Sequence, residues 1–336
     1  MAKRKILITG GGGFIGSVAT SIFLQNNYEV VVIDNFSKGF KEPLKLLQEK
    51  FTAKKLRYYK ADIRDNLDSV FKQEEIDLVV HFAGVCEVDE SMKDPQKYFS
   101  NNTYGSLNLL STMIKYNVRK IIFSSTCAVY GKALYVPVDE KHPTIPDNPY
   151  GQSKLMAEQI ISWYGKLFDL KYVVLRYFNV CGASDDGLIG DSQKPHVRLV
   201  HNAVMGVLGL EQFFLTCQQV KTRDHTPIRD FINVVDLSLA HLKAANYLLK
   251  RGSSEIINLG TGRGYSVLEI IKAVKKATKK DFDLKSSAPR VGEVAKMVAS
   301  IKKAKKILDW QPKRTIKDSV SSLVKWYNLH PQGWNH

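Results

Sequence analysis

The chain has little cysteine: four residues in 336 (Cys86, Cys127, Cys181, Cys217), irregularly spaced and with no C-x-x-C pair. That excludes a disulfide-stapled scaffold and a cysteine-based zinc centre, and no metal is expected. Acidic residues are scarce beside basic ones, 33 against 49, for a net charge of +16. Such an excess can signal a nucleic-acid binder. Here it is dispersed lysine, in pairs such as Lys54-Lys55, Lys275-Lys276, Lys279-Lys280, Lys302-Lys303 and Lys305-Lys306. These pairs are expected on solvated helix faces, and no nucleic-acid signature accompanies them, so neither a nucleic acid nor a membrane is an expected partner. The charge can still attract a polyanionic substrate. Internal repeats, low-complexity tracts and long linkers are absent as well. The opening Met1-Ala-Lys-Arg-Lys5 runs into an apolar segment that ends at Gly10. This is too short for a secretory core or a transmembrane helix, and a cytoplasmic protein with reduced thiols is expected.

What the chain does contain is alternation. Short β-branched runs at 5–9, 29–34, 56–60, 78–82, 120–124 and 172–177 are separated by segments of helical period starting near Phe14, Phe40, Asp65, Pro95 and Tyr150. This is the pattern of βαβ units wound into a parallel sheet. The expected fold class is α/β: a doubly wound parallel Rossmann sheet with a smaller, interleaved, mixed α/β substrate-binding lobe. The dinucleotide domain is expected at 1–179, with part of 230–260 returning to it. The smaller lobe is expected at 180–229 and 261–336, with a helix from Val197 to Leu208.

The run Thr9-Gly10-Gly11-Gly12-Gly13-Phe14-Ile15-Gly16 follows a strand and opens a helix. Gly11, Gly13 and Gly16 satisfy G-x-G-x-x-G, and Gly10, Gly13 and Gly16 satisfy the wider G-x-x-G-x-x-G. In either register the glycines let a diphosphate approach the amides at the helix start, at Phe14 and Ile15. Asp34 closes the second strand, where a carboxylate can accept both ribose hydroxyls and argues for NAD; Lys38 nearby leaves room for a 2′-phosphate.

Tyr150 and Lys154 stand four residues apart at the start of a helical segment, so phenol and ammonium share one face. A phenol near pKa ~10 is a poor base at neutral pH unless a neighbouring cation favours the phenolate. The spacing also fits an ordinary surface pair. Weighing against that is a strand ending Phe123-Ser124-Ser125-Thr126, which brings hydroxyls to a carboxyl-terminal strand edge. There Thr126 could bond the reacting oxygen and share its proton with Tyr150.

Taken together, Gly10–Gly16, Asp34, Asp62-Ile63, His81-Phe-Ala-Gly84, Asn101-Asn102, Tyr150 with Lys154, Leu175-Arg-Tyr-Phe-Asn179, Ile228–Val234, Asn258–Gly262 and Ala288-Pro-Arg290 closely resemble the extended short-chain dehydrogenase/reductase family, nearest its UDP-sugar 4-epimerases. The resemblance implies C4 epimerisation of a UDP-hexose, with or without an N-acetyl group, by transient oxidation to a 4-keto sugar; the alternative is 4-epimerisation of another NDP-sugar, a uronate or pentose, or a net nucleotide-sugar reduction or dehydration. It places Asn35, Asp62, Ile63, Phe82, Ala83, Gly84, Asn101, Lys154 and Phe178 around NAD. The nucleotide sugar would meet Thr126, Tyr150, Asn179, Arg229 and Arg290, the two arginines as forked partners of the diphosphate. A homodimer is implied. Sugar dehydratases of this family carry an Asp-Glu pair directly after the strand-end threonine, whereas Cys127 and Ala128 stand here. Other departures are Cys86-Glu87 where a lysine is usual at the first position, Thr216-Cys217 for an aromatic-glycine pair, and His196-Val-Arg-Leu199. Met297 stands at the position that bears on an N-acetyl group, and its flexibility suits either outcome.

Overall fold

The computed structural model describes residues 4–194, 196–217, 219–288 and 294–334. In chain order the strands are β1 Lys5–Thr9, β2 Glu29–Asp34, β3 Leu56–Lys60, β4 Leu78–His81, β5 Lys120–Thr126, β6 Lys171–Tyr177, β7 Asn179–Cys181, β8 Phe214–Leu215, β9 Ile228–Asn233, β10 Glu255–Leu259, β11 Gly264–Ser266, β12 Lys285–Ser286 and β13 Lys296–Met297. The chain divides into two compact units. The first holds Met1–Lys132, Pro143–Arg176 and Ser238–Ile257, and the second Ala133–His142, Tyr177–Leu237 and Asn258–His336.

The first unit is built on a seven-stranded sheet in the order β10-β6-β5-β4-β1-β2-β3. β1 pairs in parallel with β2 on one side and with β4 on the other. Its inner strands β1, β2 and β4 read as near-continuous apolar runs because both faces are covered: Val30, Val31, Val32 and Ile33 in β2 are all buried, whereas the edge strand β3 is mostly polar and partly exposed. Leu7, Val31, Val79, Ile121 and Phe123 join Leu109, Met113 and Ile161 of the flanking helices in one core. Each such side chain contributes about 1.5–3 kcal/mol on burial. Strand order reverses between β1 and β4, so a crevice opens beyond the carboxyl ends of these two strands.

In the second unit β9 pairs antiparallel with β11 and parallel with β13 and β7. A separate core of Phe231, Val204, Ile270, Leu323 and Trp326 supports it. The segment Ala133–His142, inside the span 1–179 expected for the dinucleotide domain, belongs to this unit. Val138 bridges Ala299 there and accepts from Asn258 Nδ2 at 3.0 Å.

Several helices start later than their sequence suggests. The one expected from Phe40 begins at Glu42, with proline in its first turn, and the Phe40 N–H instead reaches the Gly12 carbonyl at 2.9 Å. The one expected from Asp65 begins at Asp68, and the Val197–Leu208 helix runs Leu199–Val207. Lys54 and Lys55 lie in a turn and Lys279 terminates a helix in the left-handed conformation, which corrects their expected place on helix faces. Among the described residues no helix is long and apolar enough to cross a membrane.

Candidate active site

The glycine loop is forced by its contacts. Gly10 sits at φ +72°, and a Cβ there would stand 2.6 Å from the Ala83 nitrogen; one on Gly16 would reach to 2.1 Å from the Gly10 carbonyl oxygen. Only glycine lets the strand end, the loop behind β4 and the helix Phe14–Gln25 approach this closely. That helix starts at Gly13 with no side-chain cap and no acidic residue in its first turn. No acidic side chain in its first turn competes with an anion at its positive dipole end, and a dinucleotide diphosphate suits the cradle.

Asp34 ends β2 and is buried. Its Oδ2 accepts from the Gly12 N–H at 2.8 Å and its Oδ1 from the Phe36 N–H at 2.7 Å. Burial pushes its carboxyl above the usual value, against the pull of these two amides. A carboxylate has about four acceptor sites, so it can hold the loop and still receive ribose hydroxyls. Asp62 is occupied otherwise: Arg64 grips it through Nε at 2.8 Å and Nη2 at 2.7 Å, and Asn35 Nδ2 donates at 2.7 Å. Arg64 holds its carboxyl down at about 2. The adjacent Ile63 carbonyl accepts from Asn108 Nδ2 at 2.7 Å.

Behind β4, the Phe82 N–H reaches the Thr9 carbonyl at 3.0 Å and the Ala83 N–H reaches Thr9 Oγ1 at 3.3 Å. Gly84, at φ +159°, faces Asn102: a Cβ there would be 2.7 Å from Asn102 Oδ1. Asn102 is buried and clamps this loop, accepting from the Val85 N–H at 2.9 Å while its Nδ2 donates to the Val85 carbonyl and to Ser153 Oγ, each at 3.0 Å. Its neighbour Asn101 donates backwards to the Lys97 carbonyl at 2.8 Å. The asparagine that reaches the loop is therefore Asn102. The segment Phe99–Tyr104 is a π-helical turn, whose wider winding sets which side chain faces inward.

Beneath lies a buried relay. Ser106 Oγ donates to the Asn102 carbonyl, so its lone pair receives His81 Nε2–H at 2.9 Å, and the other ring nitrogen, Nδ1, accepts from Thr9 Oγ1 at 2.7 Å. The network assigns the imidazole tautomer. Burial, with the Lys154 ammonium second, drops the His81 pKa to about 3.

The helix Pro149–Phe168 is capped by Asn148, whose side chain accepts from the Gly151 N–H at 2.8 Å, with proline as the first helical residue. Tyr150 thus falls in the first turn, half-buried, with the Tyr98 ring edge-on at 6.3 Å. Lys154, one turn on, is only 5% exposed. Its Nζ lies 4.2 Å from the Phe123 ring centroid, a favourable place for a cation, and Gly84 lies beside it. Burial lowers its pKa to about 8, opposed by Cys86 and Glu158. Glu158 is one further turn along the same face. It is buried and paired with Arg176 through Nε at 3.0 Å and Nη2, while Ser125 Oγ donates to it and Arg176 Nη1 donates to Tyr130 Oη at 3.1 Å. Thr126 ends β5, buried, its Oγ1 accepting from the Ala128 N–H at 3.1 Å. The structure thus gathers the glycine loop, Asp34, Phe82–Gly84, Thr126 and Lys154 with Tyr150 in the first unit, along with Asn102, Glu158 and Arg176, which sequence reasoning had not named as site residues. Glu158 had a legible signal, the fourfold spacing Tyr150, Lys154, Glu158.

The expected sugar-nucleotide residues lie in the second unit. Asn179 opens β7 opposite Phe231 and is exposed. Arg229 on β9 stands opposite Met297 and donates from Nη1 to the Val294 carbonyl at 2.6 Å. Asp230 beside it is fully buried and receives the Thr261, Gly262 and Ala299 N–H groups, fixing the turn next to β9. Phe178 is buried, its N–H on the Leu259 carbonyl at 3.1 Å. Arg290 lies outside the described residues.

Residues 7–323 match the family model described as GDP-mannose 4,6 dehydratase. The chain is 40% identical over 334 residues to the UDP-glucose 4-epimerase of Bacillus subtilis, with 98% of each chain covered. It belongs to the extended short-chain dehydrogenase/reductase family, beside the UDP-glucose 4-epimerases. Within that family, the UDP-glucose 4-epimerase of Bifidobacterium longum in complex with NAD+ and UDP superposes with a TM-score of 0.93 at 36% identity, covering 98% of this chain and 100% of that one. The UDP-Glc/GlcNAc 4-epimerase of Campylobacter jejuni superposes with a TM-score of 0.83 at 36% identity, covering 97% of this chain and 99% of that one.

Proposed function

We infer that this chain is an NAD-dependent isomerase that inverts C4 of a UDP-hexose. The observation that carries this is buried Lys154, one turn from Tyr150, with its Nζ over the Phe123 ring and beside Gly84. Bound NAD supplies the acceptor, and then the donor, of the C4 hydride. The protein's own share is the proton at O4. The Lys154 ammonium favours the Tyr150 phenolate, which accepts that proton as the 4-keto sugar forms and returns it when the alcohol is restored. Thr126 Oγ1 bonds the same oxygen and holds it in line. No carboxylic acid follows Thr126, since Cys127 and Ala128 occupy the next turn, so loss of water from the keto sugar has no acid or base to assist it.

NAD is assigned to the first unit, with Asn35, Asp62, Ile63 and Asn101 among its partners; Phe178, also expected beside NAD, lies in the second unit. The second unit is assigned to the UDP moiety, with Asn179, Arg229 and Arg290. Met297, opposite Arg229, leaves both plain and N-acetylated hexoses admissible. A homodimer is assigned to exposed apolar side chains, Leu107 on the helix Gly105–Lys115, Trp163, Leu167 and Phe168 on the helix Pro149–Phe168 packed against it, and Tyr104 at the end of the π-helical turn; light scattering of Trp163→Glu and Leu167→Glu variants should find monomers. A cytoplasmic location, where the four cysteines would stay reduced, is assigned as well.

The test is incubation of purified protein with UDP-glucose, UDP-galactose and their N-acetyl forms. At least one pair interconverts with no net NADH consumed or produced. Interconversion of none, or a requirement for stoichiometric NADH, would overturn the reading.

A further inference from the structure

The loops that follow β2 and β4 leave the sheet at the same edge, on opposite sides of β1, because the strand order is β4-β1-β2. Between them lie the glycine loop and the crevice. An ion pair crosses this gap: Lys38 Nζ stands 3.3 Å from Glu87 Oε1, with the lysine side chain 37% and the glutamate 14% exposed. Both ends are fixed to the floor of the site. Lys38 adjoins Gly39, which lies so close to the glycine loop that a Cβ on it would be 2.9 Å from the Gly13 nitrogen. Glu87 is held by Tyr98, whose hydroxyl accepts the Glu87 N–H at 3.1 Å and donates to the Glu87 carbonyl at 2.6 Å. Tyr98 is buried, and its ring packs on Tyr150. Neither end can drift far without disturbing the glycine loop or the catalytic tyrosine.

We propose that Lys38 and Glu87 form a charged clasp over the dinucleotide crevice, and that parting this pair limits how fast the cofactor leaves. The inference rests on the NAD reading of the glycine loop. The clasp lies across the path of a ligand whose diphosphate sits on the Phe14–Gln25 helix terminus, and Lys38 adds positive charge above an anion that the helix dipole holds from below. The pair is partly exposed, so it is screened by salt and its effect is moderate.

The experiment is stopped-flow release of NADH, followed by its fluorescence, from the whole protein and from Lys38→Glu, Glu87→Lys and the double exchange, together with circular dichroism of each. Wild type releases NADH faster as salt rises. Each single variant, which sets like charges face to face, releases it about two- to fivefold faster and loses the salt dependence. The double exchange brings the rate back toward wild type because the pair is restored with its poles reversed. Single variants that release at the wild-type rate would overturn the clasp. So would a double exchange as fast as Lys38→Glu alone, since Lys38 would then act on the cofactor without Glu87. Failure of wild type to bind NADH at all would instead remove the cofactor reading beneath it.

Discussion

Replacing His81 by Gln tests the buried relay most sharply, because the glutamine amide can retain the donor to Ser106 while removing the group that titrates. The His81 pKa falls from 6.5 to about 3 in the fold. A depressed folded value means that the stabilisation is whole above the unfolded pKa and is lost as pH falls toward the folded one. Between about pH 7 and about pH 4.5 the unfolded imidazole takes up its proton and the folded one does not, a loss on the order of 2–3 kcal/mol. The variant starts lower at neutral pH, since Thr9 Oγ1 has lost its ring acceptor, at a cost of about 1–3 kcal/mol. Its further decline on acidification is then shallower by the His81 amount. His201, lowered to about 4 by burial, contributes to the acid slope of both proteins alike and cancels in the difference. Urea unfolding at the two pH values measures it. Parallel losses in wild type and variant would show that His81 is not held neutral, and the assigned tautomer would fall with it.

Tyr150→Phe should lower kcat by about 10²–10⁴-fold while NADH fluorescence still reports binding; loss of binding would instead make the tyrosine a structural residue. Activity should fall on the alkaline side as Lys154, at about 8, loses the proton that supports the phenolate, and Lys154→Met should abolish that limb with most of the rate. Glu158→Ala leaves the Arg176 guanidinium buried without its carboxylate and should cost about 3–5 kcal/mol in urea unfolding; a change under about 1 kcal/mol would mean the pair is dispensable. Gly10→Ala combines a left-handed φ with a clash on Ala83 and should weaken NADH binding along with stability, whereas wild-type affinity would refute the cradle geometry.

The sheet was legible because its inner strands are buried on both faces: Val30 to Ile33 can hardly be read otherwise. The glycine loop and the Tyr150–Lys154 spacing carry their geometry in their numbering, as does Glu158 one turn further. What the sequence hides are features set by long-range contact or by an altered helical winding. The π-helical turn Phe99–Tyr104 turns Asn102, not Asn101, toward the loop behind β4, and no local preference announces it. Ala133–His142 joins the second unit through Val138, whose bridge to Ala299 joins residues far apart in the chain. The Lys38–Glu87 pair is likewise invisible until the sheet order places the β2 and β4 loops on either side of β1. Asp62 is spoken for by Arg64 only two residues away, a pairing that its sequence neighbourhood permits but does not require.

In the reaction proposed for this chain, C4 is inverted by removal and return of its own hydride, with Tyr150 moving only the O4 proton. Running the UDP-galactose to UDP-glucose conversion in D2O and reading C4 by NMR tests this directly. The product is expected to keep protium at C4; deuterium there would mean that C4 is deprotonated and reprotonated from solvent, and would contradict the proposed hydride transfer.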